Sequence, residues 1–137
     1  MVNFMINYVA VIVVAVINMA IGMLWWSSMM FGPLWAKAMK FPKGYLNKQK
    51  GEMPRNALID FAGKIVMGVV LSYVVQIARV TALAQGALLG LLLWIGVVIP
   101  LTLGNMLWDG KSFTSWSVGA AYNLVIMVIA TAILAAW

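Results

Sequence analysis

One cationic stretch, from Phe31 to Lys64, separates two long apolar parts of this chain. It contains seven basic side chains, which are Lys37, Lys40, Lys43, Lys48, Lys50, Arg55 and Lys64. Charges of this kind are costly inside a lipid bilayer, and basic residues concentrate on the cytoplasmic side of membrane proteins. The stretch should therefore fix which way round the apolar parts lie in the bilayer.

The overall composition places the apolar parts in a membrane. Of the 137 residues, 65% are hydrophobic and only 9% are charged, and the mean hydropathy is +1.02. So few polar side chains cannot cover a water-facing surface. The net charge of +6 is typical of lysines that flank membrane spans, so nucleic acid is not an expected partner.

The chain contains no histidine and no cysteine. It therefore lacks the commonest metal ligand, the usual general base near neutral pH and any thiolate. The acids are Glu52 in a loop, Asp60 four residues before Lys64, and Asp109 in a turn. No arrangement of nucleophile and base can be assembled from them, so we expect no catalytic residue, no metal site and no cofactor.

Hydrophobic runs of sufficient length predict an all-α fold, a bundle of four transmembrane helices. The predicted spans cover residues 5–30, 58–80, 86–108 and 115–137, within one integral membrane domain over residues 1–137. The connection at residues 81–85 is very short, so spans two and three should form an antiparallel hairpin.

The basic connector, residues 31–57, should begin with a short amphipathic helix on the cytoplasmic membrane surface. Trp35 would dip into the lipid boundary while Lys37 and Lys40 stay in water. Glycine and proline residues punctuate the remainder, which is predicted to be an irregular loop. The side chains expected at the lipid interface are Trp26, Trp35, Lys37, Lys40 and Lys64.

The glycines of the spans predict where helices approach each other closely. Gly86 and Gly90 are four residues apart, a spacing that lets two helix backbones meet, either within one chain or between two copies. Pro100 follows Gly96 by four residues, which predicts a kink in span three. The full set of predicted packing positions is Gly22, Gly68, Gly86, Gly90, Gly96, Pro100 and Gly119.

Polar and aromatic side chains inside the spans are the candidate functional residues. The predicted intramembrane cluster comprises Asn18, Trp25, Trp94, Asn105, Tyr122 and Asn123. Polar groups in hydrocarbon turn inward, so these side chains could line a pocket for a small ligand, a lipid headgroup or an ion. They could equally form hydrogen bonds that hold the helices together. No buried charge is expected beside the amides, which favours the second interpretation.

The distribution of basic residues predicts the topology. The connector with its flanks and Lys111 carries eight lysine or arginine residues, whereas the opposite side carries only Arg79. The positive-inside rule then places residues 31–57 and 109–114 in the cytoplasm and both termini outside it. The chain should be a multi-pass protein of the cytoplasmic, or inner, membrane.

Several motifs resemble a known family of small four-span microbial membrane proteins, which is catalogued only as a domain of unknown function. The resemblance implies a four-span fold and a membrane location, and it implies no activity. Its motifs are Trp25-Trp26-Ser27, Phe31-Gly32, Trp35, Leu92-Leu93-Trp94-Ile95-Gly96, Asn105-Met106-Leu107-Trp108-Asp109-Gly110-Lys111 and Gly119-Ala120-Ala121-Tyr122.

These features favour a non-enzymatic structural or accessory membrane component, either a homo-oligomer or a small subunit of a larger membrane complex. The alternative is a small oligomeric transporter or channel for a small solute or ion. Its path would be lined by Asn18, Asn105 and Asn123, with Pro100 as a hinge. The bilayer is the expected surrounding partner, and the basic connector offers a binding surface for anionic lipid.

The topology is tested by accessibility labelling at Lys48. Because the chain has no cysteine, the variant Lys48→Cys carries a single thiol. A membrane-impermeant thiol reagent should reach it only after the cytoplasmic side has been opened, since the connector is predicted to face the cytoplasm. Labelling of this position in intact cells would contradict the orientation.

Overall fold

The computed structural model describes residues 5–27, 29–40 and 45–137, and for residues 45–50 it describes the backbone alone. Helices account for most of these residues, and no β-strand occurs among them. In chain order they are α1 (Tyr8–Trp25), α2 (Gly32–Met39), α3 (Tyr45–Ile77), α4 (Leu83–Leu93), a π-helical turn (Trp94–Val98), α5 (Ile99–Asp109) and α6 (Phe113–Ala136).

Four stretches of helix are long and apolar enough to cross a bilayer. The shortest has 18 residues, or roughly 27 Å at the rise of an α-helix, which compares with roughly 30 Å of hydrocarbon. These stretches confirm the predicted all-α, four-span fold. They are Tyr8–Trp25, Gly51–Ile77, Leu83–Asp109 and Phe113–Ala136.

Local capping sets where two of the spans begin and where one ends. Asn7 Oδ1 accepts a hydrogen bond from the Ala10 N–H (3.2 Å) at the start of α1. Ser112 Oγ accepts from the Ser115 N–H (3.2 Å) at the start of α6. These bonds satisfy amides that have no partner inside the helix. Gly110 ends α5 with φ 69°, a left-handed conformation that glycine adopts without strain.

The helix boundaries differ from the prediction mainly around the basic connector. The first span ends at Trp25, before the predicted residue 30, and α3 begins at Tyr45. Much of the predicted irregular loop is therefore helical, with Pro54 inside α3. A proline removes one hydrogen-bond donor from a helix. A helix that continues from a membrane span needs no new nucleation and extends past this defect.

The fourth span, α6, is the central helix of the fold. α1, α3 and α4 each pack against it, and α1 also packs against α3. Val14, Leu71 and Ala130, from α1, α3 and α6, are buried together at the centre of these three helices. The third span lies outside this group of three, because α4 and α5 contact α6 but neither α1 nor α3 to any extent.

Hydrogen bonds along α6 fix the directions of the helices. Trp25, at the end of α1, bonds to Val118, and Asn18, earlier in α1, bonds further along α6 at Ile126. The first span therefore runs antiparallel to α6. The third span runs in the same direction as the first, because the start of α4 lies beside the end of α6. Spans one and three thus oppose spans two and four.

The predicted hairpin of spans two and three is not packed. The connection is short, as the sequence indicated, but α4 lies against α6 and has hardly any contact with α3. Arg79, just after α3, has a left-handed φ of 57°, which redirects the chain. A short connection keeps the end of α3 near the start of α4, but it does not make the two helices pack against each other. The small side chains of α6 decide which face α4 packs on.

Gly86 and Gly90 bring the backbones of α4 and α6 almost into contact. A Cβ atom at Gly86 would stand 2.5 Å from the carbonyl oxygen of Thr131 and 2.7 Å from Ala132 Cα. A Cβ atom at Gly90 would stand 2.8 Å from Val128 Cα. This pair of glycines therefore packs within one chain, which resolves the choice that the sequence left open.

The other predicted packing positions fall into two groups. A Cβ atom at Gly68 would meet Val11 Cγ1 at 3.0 Å, and one at Gly22 would meet the Tyr122 hydroxyl at 2.8 Å. Gly96 and Gly119 have no atom within 4 Å of such a Cβ, and Pro100 is exposed. Within a single chain, the spacing rule thus overestimated the number of glycines at helix contacts.

The helical hydrogen bonding of span three changes just before Pro100. The Ile99 N–H bonds to the carbonyl of Trp94, five residues back, in place of Ile95. Pro100 has no N–H, so the Ile95 carbonyl has neither of the donors that an α- or π-helix would supply. The irregularity predicted from Gly96 and Pro100 takes the form of this π-helical turn.

The short helix α2 follows the first span and packs against α6. Ser112 Oγ donates a hydrogen bond to the carbonyl of Ala38 (3.4 Å), which ties the end of α2 to the start of α6. Lys37 and Lys40 are exposed, and Trp35 is half-buried beside Trp26, with ring centroids 4.9 Å apart. A short helix therefore follows the first span and is anchored to the bundle.

The α4–α6 contact predicts an asymmetry between two glycine substitutions. Gly90→Ala should lower the free energy of unfolding by about 1–3 kcal/mol, because the added methyl group meets backbone that cannot move aside. Gly119→Ala has open space and should be neutral or stabilising by up to about 1 kcal/mol through helix propensity. Reversible unfolding in mixed micelles measures both. Equal effects at the two positions would contradict the packing described above.

Candidate functional site

Three of the six predicted cluster residues meet where α1 crosses the first half of α6. Asn18 and Trp25 approach from α1, and Tyr122 lies between them on α6. Gly22 of α1 and Lys64 of α3 complete the group. We name these five residues the Tyr122 cluster.

Asn18 is the most deeply buried polar residue of the cluster, with no exposed surface. Its Nδ2 donates a long hydrogen bond of 3.5 Å to the carbonyl of Ile126 on α6. Its Oδ1 accepts no hydrogen bond from any residue that the structure describes. A buried acceptor without a donor costs about 1–3 kcal/mol, so this oxygen is open to a further donor.

Tyr122 connects the cluster to the aromatic residues around it. Its hydroxyl donates a hydrogen bond to the backbone carbonyl of Asn18 (3.4 Å). Its ring lies 6.2 Å from that of Trp25 and 5.9 Å from that of Trp26, measured between centroids. Gly22 leaves the space that the hydroxyl occupies. These contacts hold the ring in one position between α1 and α6.

Lys64 is buried beneath Tyr122 and does not reach the lipid interface. Its Nζ donates to both carboxylate oxygens of Asp60, at 2.9 and 3.0 Å, as their spacing of four residues on one helix allows. The Lys64 side chain is 8% exposed and that of Asp60 is 59% exposed. The Nζ also lies 5.7 Å from the centroid of the Tyr122 ring. The ammonium therefore finds its favourable contacts on the protein side.

Two sequence-based expectations are corrected by this position. Lys64 was expected to extend to the lipid interface, and no buried charge was expected near the intramembrane amides. The spacing of residues on α3 contained a signal for this position, because Lys64, Gly68, Ser72 and Val75 fall on one face of the helix. All four are buried, so this face packs against protein.

Indole groups tie the outer helices to α6. Trp25 Nε1 donates to the carbonyl of Val118 at 3.2 Å, and Trp94 Nε1 donates to the carbonyl of Ala120 at 2.8 Å. A third indole, that of Trp116 on α6, donates to Thr102 Oγ1 on α5 at 3.0 Å. Each bond gives an indole N–H the acceptor that hydrocarbon cannot supply. Their common effect is to fix α1, α4 and α5 on α6.

The remaining candidates do not join the Tyr122 cluster. Trp94 lies on the side of α6 that faces α4, and Asn123 is half-buried one residue beyond Tyr122, about 100° around the helix. Asn105 is exposed, because α5 turns its neighbour Met106 inward. Of the six residues predicted to converge, three therefore meet, and the other three lie elsewhere on the bundle.

A separate cavity of about 200 Å³ lies at the opposite end of the bundle, between α1, α3 and α6. Gln76 forms part of its wall and binds the backbone of Met5 twice. Gln76 Oε1 accepts from the Met5 N–H at 3.2 Å, and its Nε2 donates to the Met5 carbonyl at 3.1 Å. Sequence reasoning missed this clamp, since a single glutamine near a helix end gives no specific signal.

The chemistry available to the Tyr122 cluster is limited to hydrogen bonding and charge pairing. Lys64 and Asp60 form a pair with no net charge. Within the described ranges, no three histidine, cysteine, aspartate or glutamate residues lie close enough to hold a metal ion. The free acceptor of Asn18 and the aromatic wall could receive a small hydrogen-bond donor, and the other polar atoms are used to hold helices.

Four apolar spans, three of which pack around α6, make this an integral, multi-pass membrane protein. A family model described as a protein of unknown function (DUF1761) matches residues 9–135, nearly the whole chain, so the chain belongs to that family. This match confirms the resemblance seen in the sequence motifs. No curated protein and no solved structure matches the chain.

The Lys64–Asp60 pair predicts an unequal response to removal of either partner. Asp60→Asn should cost about 1–2 kcal/mol of unfolding free energy, because it leaves a buried ammonium without its counter-ion. This value is below that of a fully buried pair, since Asp60 is 59% exposed. Lys64→Met replaces the ammonium with an apolar side chain of similar length and should cost less.

A double-mutant cycle measures the coupling directly. In the Lys64→Met background, Asp60→Asn should have almost no effect, because no ammonium remains to be paired. An equal cost of Asp60→Asn in both backgrounds would contradict the pairing. Circular dichroism in the same micelles checks that each variant keeps its helix content.

Proposed function

We propose that this chain is a non-enzymatic structural or accessory component of a membrane, either a homo-oligomer or a small subunit of a larger membrane complex. The observation that carries the proposal is that the intramembrane polar side chains form hydrogen bonds between helices. Asn18, Trp25 and Trp94 each donate a hydrogen bond to a backbone carbonyl of α6. Donor groups with this role hold helices together and are not free to bind a substrate.

The uncovered third span supports an assembled state. Along the most apolar 18 residues of Leu83–Asp109, 11% of the residues are buried within the chain. The corresponding share in Phe113–Ala136 is 33%. Asn105 and Gly96 both lie on exposed parts of this span. A polar amide near a lipid-facing surface favours helix association, because a neighbouring helix offers it a hydrogen-bond partner.

We further propose the cytoplasmic membrane as the location, with residues 31–57 and 109–114 in the cytoplasm and both termini outside. The supporting argument is the positive-inside rule. Lys37 and Lys40 flank the hydrogen bond that joins α2 to the turn containing Lys111, whereas Arg79 follows the opposite end of α3. In this orientation α2 lies on the cytoplasmic surface of the bilayer.

A small oligomeric transporter or channel is the alternative. The observation that favours it is the buried Oδ1 of Asn18, which has no donor among the described residues. A permeating solute or a water molecule could supply that donor. The amides expected to line the path with it, Asn105 and Asn123, lie on other faces of the chain, so a path would have to be built from several copies.

Purification from native membranes in a mild detergent tests the proposed role. We expect a species larger than the 15.0 kDa chain, containing either several copies or a second protein. Denaturing detergent, as the control, should reduce it to the single chain. A lone, stable monomer in the mild detergent and in crosslinked native membranes would contradict the accessory role.

A flux assay separates the alternative from the main proposal. Proteoliposomes containing the wild-type chain should show no uptake of protons, Na⁺, K⁺ or glycerol above that of empty liposomes. Flux that is lost in the variant Asn18→Leu would favour transport, since this change removes the free acceptor and keeps a side chain of similar volume. Asn123→Leu provides the matched control on another face of α6.

A further inference from the structure

Two connectors that are far apart in the sequence meet at one end of the bundle. The hydrogen bond from Ser112 Oγ to the carbonyl of Ala38 joins the turn after α5 to the last residues of α2. α2 also packs against α6, and this packing keeps the two connectors together. This contact brings basic residues from both connectors to one place. Because the connectors are about 70 residues apart in the sequence, the sequence alone did not indicate it.

Three lysines surround this contact. Lys37 immediately precedes Ala38, Lys40 follows it by two residues and caps α2 in a left-handed conformation, and Lys111 immediately precedes Ser112. All three lysines are exposed, and none forms an ion pair within the described part of the chain. We name Lys37, Lys40 and Lys111 the three-lysine patch.

The charge of the patch is not cancelled by its surroundings. Asp109 lies in the same turn as Lys111 and is exposed, so the patch and this acid together carry a charge of +2, from three lysines and one aspartate. The other two acids of the chain, Glu52 and Asp60, are already paired with Arg55 and Lys64. The patch is therefore a positive surface whose charge is only partly neutralised by acidic side chains of the chain.

The apolar neighbours of the patch place it at the bilayer boundary. Trp108, which ends the third span beside this turn, is 91% exposed, and Leu34 of α2 is 48% exposed. Exposed tryptophan at the end of a span is typical of the headgroup level, where the indole meets both lipid and water. Lysine side chains at this level extend toward phosphate groups and keep their stems in the apolar boundary.

We propose that the three-lysine patch binds the phosphate headgroup of an anionic phospholipid in the adjoining leaflet. The positive charge of the patch favours an anion. The exposed Trp108 places the patch at the level of the lipid headgroups, which favours a lipid over a soluble phosphate compound. Two of the lysines come from α2 and one from the turn before α6, so the bound headgroup bridges the contact between them. The lipid thereby stabilises the attachment of α2 to the bundle.

The expected strength follows from the number of charges. One net positive charge near an anionic membrane surface strengthens binding about fivefold, so the net charge of +2 accounts for a preference of about 25-fold. Salt weakens the preference, because exposed charges are screened over about 8 Å at physiological ionic strength. The site does not depend on the oligomeric or accessory role proposed above, since all three lysines belong to one chain.

The test uses the full-length protein in a neutral detergent and mixed micelles that contain either phosphatidylglycerol or phosphatidylcholine. Native mass spectrometry counts bound lipid, and the thermal unfolding midpoint measures stabilisation. Phosphatidylglycerol should bind about 25-fold more tightly than phosphatidylcholine. The triple variant Lys37→Gln, Lys40→Gln, Lys111→Gln should lose this preference, whereas replacing the same three lysines with arginine should retain it.

The controls separate a specific patch from general charge attraction. Arg79→Gln removes one exposed charge at the other end of the bundle and should leave phosphatidylglycerol binding unchanged. Inorganic phosphate should not reproduce the stabilisation. Wild-type protein that binds both lipids equally, or a triple glutamine variant that retains the preference, would overturn the proposal. Equal stabilisation by inorganic phosphate would overturn the assignment to a lipid.

Discussion

The absence of water from hydrocarbon is the constraint on which this structure depends. A polar group inside a span must find its hydrogen-bond partner in the protein, or its desolvation destabilises the fold. The partners here are supplied largely by α6, whose carbonyls at Val118, Ala120 and Ile126 accept bonds from side chains of α1 and α4. These bonds make the fourth span central, although it follows the other three along the chain.

The same constraint explains the burial of Lys64. A charge within a span is tolerated where it is paired and faces protein. Asp60 supplies the paired carboxylate one turn away, and Tyr122 supplies the aromatic face. The result is an ion pair that runs from an exposed carboxylate to the interior of the bundle. Its buried end lies over the ring of Tyr122, whose hydroxyl donates a hydrogen bond to the backbone carbonyl of Asn18.

The candidate site was only partly predictable. Individual polar residues within apolar runs are visible in the sequence, and Asn18, Trp25 and Tyr122 do meet. The sequence could not show that Asn105 faces outward, because that depends on the π-helical turn and on which side of α5 packs against α6. Helix length and hydropathy fix depth in the bilayer, whereas the rotation of each helix depends on its packing partners.

The sequence by itself determined the four apolar spans, their order and the Asp60–Lys64 pair, because hydrophobic length and helical spacing are local properties. Only the tertiary structure decided that α4 packs on α6 and not on α3, and that α2 meets the turn at Ser112. Those choices depend on how glycine and alanine surfaces on separate helices fit together. Such complementarity is a property of two surfaces in contact, and neither sequence segment contains it alone.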